Sequence, residues 1–181
     1  MKQYIALLRG INISGKNKIS MPLLKEAFEK KGFSEVKTYI NSGNVLFSSD
    51  DRDQERLIRA CEALIVEEFD LTIPVVVVEV EELRRLLEEA PEWWNQEKET
   101  IHYVIFMIPP MTVSQVFEAV GEIKPEYEKI AHSDNVIFWS APRKTFNKAH
   151  WSKIASSSVN PHVTIRNANT VNKLLHLSTI K

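Results

Sequence analysis

The feature that most constrains this chain is an order of secondary-structure patterns that occurs twice. In residues 1–80, an alternating strand pattern precedes a helical pattern and then two strands around the turn signal Asn41–Asn44. A helical pattern near residues 53–69 and the buried strand pattern IPVVVV complete the series. The order is strand, helix, strand, strand, helix, strand, which is typical of a ferredoxin-like fold.

The second half repeats this order after an acidic helical pattern near residues 80–89. The predicted elements are the strand HYVIFMI, a helix that begins with capping-box spacing at Thr112, a hairpin around residues 133–135, a helix near 147–157, the strand HVTIR and a helix near 169–177. We therefore predict an α+β fold of two ferredoxin-like βαββαβ halves with antiparallel sheets and a C-terminal helix. The predicted domains are residues 1–80, a bridging helix and loop at 81–100, and residues 101–181 with the tail helix.

Composition indicates a globular chain without a membrane span. Of the 181 residues, 44% are hydrophobic and 26% are charged. The apolar runs are far shorter than the roughly 20 residues of a membrane helix, and the N-terminus lacks a signal-peptide pattern. The one cysteine, Cys61, excludes an internal disulfide and shares a helical face with Leu57 and Leu64. We expect a packed core thiol and a cytoplasmic location.

Charge is segregated along the chain. Residues 1–49 hold eight basic and three acidic residues, and residues 50–99 hold six and 16. Residues 135–181 hold seven basic residues and no acidic one. Such asymmetry predicts an anionic partner for the basic ends, unless the ends only neutralise the middle of the chain.

The loop LLRGINISGKNK at residues 7–18 is nearly a nucleotide-binding loop. However, Asn17 stands where that motif has Ser or Thr, and the helix begins only near Ser20–Pro22. We therefore predict that the match is accidental. A polar cationic loop at the end of a strand suits anion capture, and a solvated surface loop is the alternative.

Two further basic segments are candidates. In TIRNANTVNKLL, Arg166 ends a predicted strand, and Asn167 and Asn169 can cap the helix that follows. The segment therefore indicates either an anion-binding site or ordinary helix capping. In RKTFNKAHWSK, aromatic residues alternate with cations, a pattern found in nucleic-acid contacts and more often in a core. The pair Trp93–Trp94 is a candidate partner patch or a packing element.

Three motifs together resemble the bacterial family known as domain of unknown function 1697. They are LLRGINISGKNKISM, GFSEVKTYINSGNVLF and TIRNANTVNKLL. The resemblance covers essentially the whole chain and implies an α+β fold and a cytoplasmic setting, but no reaction. The family usually has Trp between the two Asn residues of the third motif, whereas this chain has Ala168. The resemblance therefore lends no support to an aromatic that stacks on a ligand there.

These observations predict a protein that binds a phosphate-bearing anion, either nucleic acid or a small phosphorylated molecule. The alternatives are an enzyme that acts on such a molecule, with Lys16 or Arg166 polarising it, and a protein-interaction module. Neither a cofactor nor a metal is expected, because the five His residues lack metal-ligand spacing, and the oligomeric state is open. The predicted ligand-binding residues are Arg9, Asn12, Lys16, Lys18, Arg166, Asn167 and Asn169.

Overall fold

The computed structural model describes residues 1–133 and 135–179, and it contains eight strands and five α-helices in these ranges. In chain order they are β1 (Lys2–Leu8), α1 (Met21–Lys30), β2 (Ser34–Tyr39), β3 (Asn44–Ser49), α2 (Gln54–Phe69), β4 (Val75–Glu79), α3 (Val80–Glu88), β5 (Thr100–Met107), α4 (Val113–Val120), β6 (Lys129–His132), β7 (Val136–Pro142), β8 (Val163–Asn167) and α5 (Ala168–Thr179).

The strands form two four-stranded antiparallel sheets with equivalent orders, β2-β3-β1-β4 and β6-β7-β5-β8. In each sheet the first and third strands of the unit are central, which is the arrangement expected of a ferredoxin-like βαββαβ unit. The predicted fold class is therefore confirmed.

The chain divides into two compact units. One consists of Met1–Arg85 with the segment that starts at Lys173, and the other is Leu86–Asn172. The division between these units falls within helix α5. No helix of the described ranges is long and apolar enough to cross a membrane.

The first unit buries one face of its sheet against α1 and α2. Leu24 and Phe28 of α1 and Leu57 and Cys61 of α2 lie in one core cluster with alternate residues of β1, β3 and β4. Helix α2 begins where the sequence predicted, because the Asp53 carboxylate accepts a hydrogen bond from the Arg56 N–H at 3.2 Å.

The second unit packs α4 against its own sheet. Thr112 and Gln115 form the predicted capping box at the start of α4. The expected helix over residues 147–157 is wrong, because 3-10 turns span Arg143–Lys148 and His150–Ser156. Between these turns Ala149 is extended (φ −63°, ψ 133°), and this interruption prevents a continuous α-helix. The expected turn at residues 133–135 includes residue 134, which lies outside the described residues.

Candidate functional site

The loop after β1 folds as a chain of tight turns. Its residues 10, 12, 14, 15 and 17 all have φ between 48° and 75°, a region open to Gly and tolerated by Asn. The N–H of Lys16 donates to the Ile13 carbonyl at 2.9 Å and closes the tip of the loop. Helix α1 begins six residues after Gly15, at Met21. This geometry lacks the helix N-terminus that a nucleotide loop places directly behind its Gly-Lys pair.

Asn12 is the centre of this loop. Its Oδ1 accepts the N–H of Ile19 at 2.9 Å, and its Nδ2 donates to the carbonyls of Ile19 (3.0 Å) and Asn41 (2.9 Å). Both amide hydrogens of Asn12 are therefore used inside the protein. The Nδ2 of Asn17 likewise donates to the Gly10 carbonyl at 2.9 Å. Asn12, predicted to contact a ligand, thus holds the loop in shape, and it also lines the open groove beside the loop.

The turn before β3 packs against the same loop. The N–H of Leu8 donates to the Gly43 carbonyl at 2.8 Å. A Cβ at Gly43 would lie 2.8 Å from both Leu8 Cβ and Ile11 Cδ1, so only glycine fits against the loop. Asn44 is buried, and its Nδ2 donates to the Tyr39 carbonyl and to Ser42 Oγ. The sequence predicted a hairpin turn here but not its contact with the loop.

The supported loop presents cations to solvent. Lys16 and Lys18 are exposed, and neither forms an ion pair within the described ranges. Arg9 is half-buried, and its N–H donates to the Pro74 carbonyl at 3.0 Å. An open groove beside the loop is lined by Gly15, Lys18, Ser20, Asn41 and the start of α1.

The groove ends at the N-terminus of α1. Ser20 occupies the N-cap position, but its hydroxyl makes no capping hydrogen bond to the described chain. The first turn of α1 contains no acidic residue, and Pro22 lacks an N–H. The remaining N–H groups and Lys18 give the groove a positive potential.

In the second unit, Arg166 is a buried cation rather than a surface residue. Its side chain lies in β8, and its Nη1 donates to Thr164 Oγ1 at 2.8 Å and to the Ile165 carbonyl at 3.1 Å. Burial lowers the pKa of Arg166 to about 10, so the guanidinium still carries its charge at neutral pH. These contacts hold the predicted ligand-binding side chain within the strand.

Asn167 and Asn169 lie at the start of α5. The Oδ1 of Asn167 accepts the N–H of Thr170 at 2.9 Å, which is an N-cap contact. Both Asn residues line a cleft of about 340 Å³ whose lining belongs entirely to the second unit. Arg143 and Lys98 also line this cleft, and both are exposed. The cleft thus brings the predicted segment together with Arg143 from RKTFNKAHWSK and with Lys98, which was not predicted as a site residue.

Tyr103 also lines this cleft, and its ring stacks on Trp139 with centroids 5.3 Å apart. Burial raises the pKa of Tyr103, and the nearby positive charge of Arg143 partly opposes that increase. Tyr103 therefore stays a neutral hydrogen-bond donor at neutral pH.

The aromatic residues of RKTFNKAHWSK pack in or against the core of the second unit. Core packing was the alternative to stacking on nucleic acid. Trp151 is fully buried, and its Nε1 donates to the Gly121 carbonyl at 2.9 Å. Phe146 packs against Trp139 with ring centroids 5.6 Å apart. His150 Nε2 lies 2.6 Å from the Val120 carbonyl.

A buried carboxylate that the sequence analysis missed organises this region. Glu128 accepts four N–H bonds, from Lys124 N, Trp139 Nε1, His150 N and Trp151 N, at 2.7–3.0 Å. Two of these donors follow directly after the extended residue Ala149. Glu128 therefore accounts for the break in the expected helix. The sequence contains no local signal that distinguishes Glu128 from Glu126, because three of the four donors to Glu128 lie 11–23 residues away along the chain.

The two adjacent tryptophans do not form a shared surface patch. Trp94 is buried, its Nε1 donates to the Tyr103 carbonyl at 3.0 Å, and its ring meets Phe138 edge to face. Trp93 is half-buried. Within the described residues, no group of three or more His, Cys, Asp or Glu side chains is arranged to hold a metal ion.

Comparison with known proteins identifies relatives of the whole chain. A solved structure titled as the conserved bacterial protein SP0830 from Streptococcus pneumoniae is 28% identical and covers 97% of this chain and 98% of that chain, with a TM-score of 0.87. None of the curated proteins matches the sequence. The model of the family described as "Protein of unknown function (DUF1697)" matches residues 1–138, which include the loop and the hairpin turn that supports it. The chain therefore belongs to the DUF1697 family of proteins of unknown function, as its motifs predicted.

Proposed function

We propose that the protein binds a phosphate-bearing anion, either a small phosphorylated molecule or nucleic acid, through the loop of residues 9–18 and the segment of residues 164–170. One observation carries the proposal: hydrogen bonds of Asn12 and the close approach of Gly43 fix the shape of the loop, which leaves Lys16 and Lys18 exposed, and Lys18 lines an open groove. Binding to a preformed loop avoids most of the entropy cost of ordering it.

The neighbourhood of the two lysines supports an anion rather than a cation or an apolar ligand. The groove next to Lys18 is lined by Ser20 and by the start of α1. The Ser20 hydroxyl makes no capping hydrogen bond, and the first turn of α1 lacks a carboxylate. Hydroxyl and N–H groups donate to phosphate oxygens, and the positive end of a helix favours them. The basic composition of both chain ends agrees with this sign of charge.

The C-terminal segment contributes through its asparagines. Asn167 and Asn169 line the cleft with Arg143, so a phosphate there would meet carboxamide donors and a guanidinium. Arg166 supports the segment from within β8 through its bonds to Thr164 and Ile165.

The test is a titration of the full chain with inorganic phosphate, a nucleoside monophosphate and a single-stranded oligonucleotide at two salt concentrations. The double variant Lys16→Ala/Lys18→Ala is compared with Lys30→Ala, because Lys30 is also exposed but is paired with Glu68 at 3.5 Å. We expect the double variant to weaken binding about five- to tenfold, since each exposed charge contact contributes up to about 1 kcal/mol. Lys30→Ala should change it less than twofold.

The salt dependence separates the two ligand classes. A steep loss of oligonucleotide affinity with salt indicates nucleic acid, and saturable stabilisation by the nucleotide indicates a small molecule. If no phosphate-bearing ligand binds, or if the double variant binds like Lys30→Ala, the proposal is wrong.

A further inference from the structure

The cleft of the second unit has a mixed lining that is informative about its ligand. It is lined by residues 100–103 of β5, by residues 95–98, and by Arg143 with the start of α5. At about 340 Å³, it has the volume of a small-molecule site. Nucleic acid, by contrast, binds along extended grooves or surfaces.

Two cations define one part of the cleft. Arg143 and Lys98 are exposed, and neither is within ion-pair distance of a carboxylate among residues 1–133 and 135–179. The backbone of Arg143 is fixed to the rim because its N–H donates to the Glu99 carbonyl at 2.9 Å. Arg143 and Tyr103 both line the cleft, and the charge of Arg143 partly opposes the rise that burial causes in the pKa of Tyr103. This pair suits the oxygens of a phosphate ester.

Carboxamides line the rest of the cleft. They belong to Asn95, Gln96, Asn167 and Asn169; a carboxamide carries both donor and acceptor groups, although the Nε2 of Gln96 donates to the Trp94 carbonyl at 3.5 Å. The Oδ1 of Asn167 is already used by the N–H of Thr170, which leaves its Nδ2 for a ligand. Such amides match the hydroxyls of a sugar, which also donate and accept.

Glu97 disfavours a purely anionic ligand. It lies in the cleft lining, and its Oε2 accepts the Thr100 hydroxyl at 3.0 Å. A carboxylate repels a second phosphate, but it accepts hydrogen bonds from sugar hydroxyls. A ligand that matches the whole of this lining therefore has one anionic group and several hydroxyls.

We propose that this cleft binds a small phosphorylated sugar, with the phosphate at Arg143 and the hydroxyls at the carboxamides and Glu97. This inference rests on the proposed function for the identity of the anionic group. It adds the class of ligand and the residues that select it.

The test uses isothermal titration of the full chain with ribose 5-phosphate, ribose and inorganic phosphate. We expect ribose 5-phosphate to bind at least tenfold more tightly than either fragment, because it alone uses both parts of the cleft. Arg143→Ala should weaken ribose 5-phosphate about tenfold. Lys144→Ala, an exposed neighbour outside the cleft lining, should leave its affinity unchanged within twofold.

A second variant separates selectivity from charge. Asn169→Ala should weaken ribose 5-phosphate by at least threefold and leave inorganic phosphate within twofold. Equal effects of Arg143→Ala and Lys144→Ala would overturn the cleft assignment, as would equal affinities for the sugar phosphate and inorganic phosphate. If binding then still depends on Lys16 and Lys18, only this inference fails. If no phosphate compound binds at all, the proposed function fails with it.

Discussion

The side-chain carboxamide of Asn12 donates a hydrogen bond to the backbone carbonyl of Asn41 at 2.9 Å. The two residues are 29 positions apart, so this bond joins the loop after β1 to the hairpin turn between β2 and β3. Two of the motifs that identify the family thereby form one structural unit. A neutral side-chain amide therefore fixes the backbone of the loop to this turn.

Replacing Asn12 with Ala should destabilise the protein by about 1–3 kcal/mol, because the Ile19 N–H and two carbonyls lose their partner. Ser14→Ala is the matched control, since Ser14 has a similar positive φ (50° against 54°) and is exposed. It should change the free energy of unfolding by no more than about 0.5 kcal/mol. Urea denaturation measures both, and equal effects would show that the hydrogen bonds contribute nothing.

Gly43→Ala should be more damaging than Gly32→Ala, although both glycines have positive φ (87° and 96°). The conformation alone costs a non-glycine residue about 1–2 kcal/mol. At Gly43 the new Cβ would also lie 2.8 Å from Leu8 and Ile11, whereas at Gly32 it would meet nothing within 4 Å. Overpacking adds about 1–3 kcal/mol. Thermal or chemical unfolding measures the loss of stability in each variant. Similar losses in the two variants would show that Gly43 does not lie in close contact with Leu8 and Ile11.

The repeated fold could be predicted because its signals are local. Periodic apolar residues, the Asp53 cap and the capping box of Thr112 and Gln115 each specify an element from residues close together in the chain. The order of elements then leaves few topologies. The family motifs pointed to the same fold.

The roles of individual side chains were harder to predict because they depend on distant contacts. Asn12 was predicted only as a ligand-binding residue, whereas its amide also bonds to residues 7 and 29 positions away. Arg166 was predicted as a ligand-binding residue, whereas its side chain is buried in β8 and bonds to Thr164 and Ile165. The link between Arg143 and Asn169 in one cleft requires the pairing of β5 with both β7 and β8, which no local pattern encodes.

Glu128→Ala should destabilise the second unit by at least about 3 kcal/mol, because four buried or half-buried N–H groups lose their acceptor. Glu126→Ala serves as the control, since Glu126 is exposed two residues away. Near-ultraviolet circular dichroism should also report a changed environment of Trp139 and Trp151 in the first variant only. A Glu128→Ala protein as stable as the control would show that water replaces the carboxylate without loss.

Cys61 should make stability decrease at alkaline pH. The thiol is fully buried in the core of the first unit, and burial raises its pKa far above the ordinary value near 9.0, with the charge of Glu62 acting in the same direction. Below pH 9 the thiol is protonated in both the folded and the unfolded chain, so its contribution is constant. Above pH 9 the unfolded chain releases the proton while the folded chain retains it, which favours unfolding by up to about 1.4 kcal/mol per pH unit.

The measurement is urea denaturation of the wild type and Cys61→Ala between pH 7 and pH 10.5. Tyr4 and Tyr103 also have raised pKa values, but they titrate in both proteins and cancel in the difference. We expect the stability advantage of the wild type to be constant up to about pH 9 and then to decrease by roughly 1 kcal/mol or more by pH 10.5. A thiol reagent at pH 8 should label the wild type only as fast as the chain opens. A constant difference throughout, or rapid labelling of the folded protein, would show that the thiol is accessible to water.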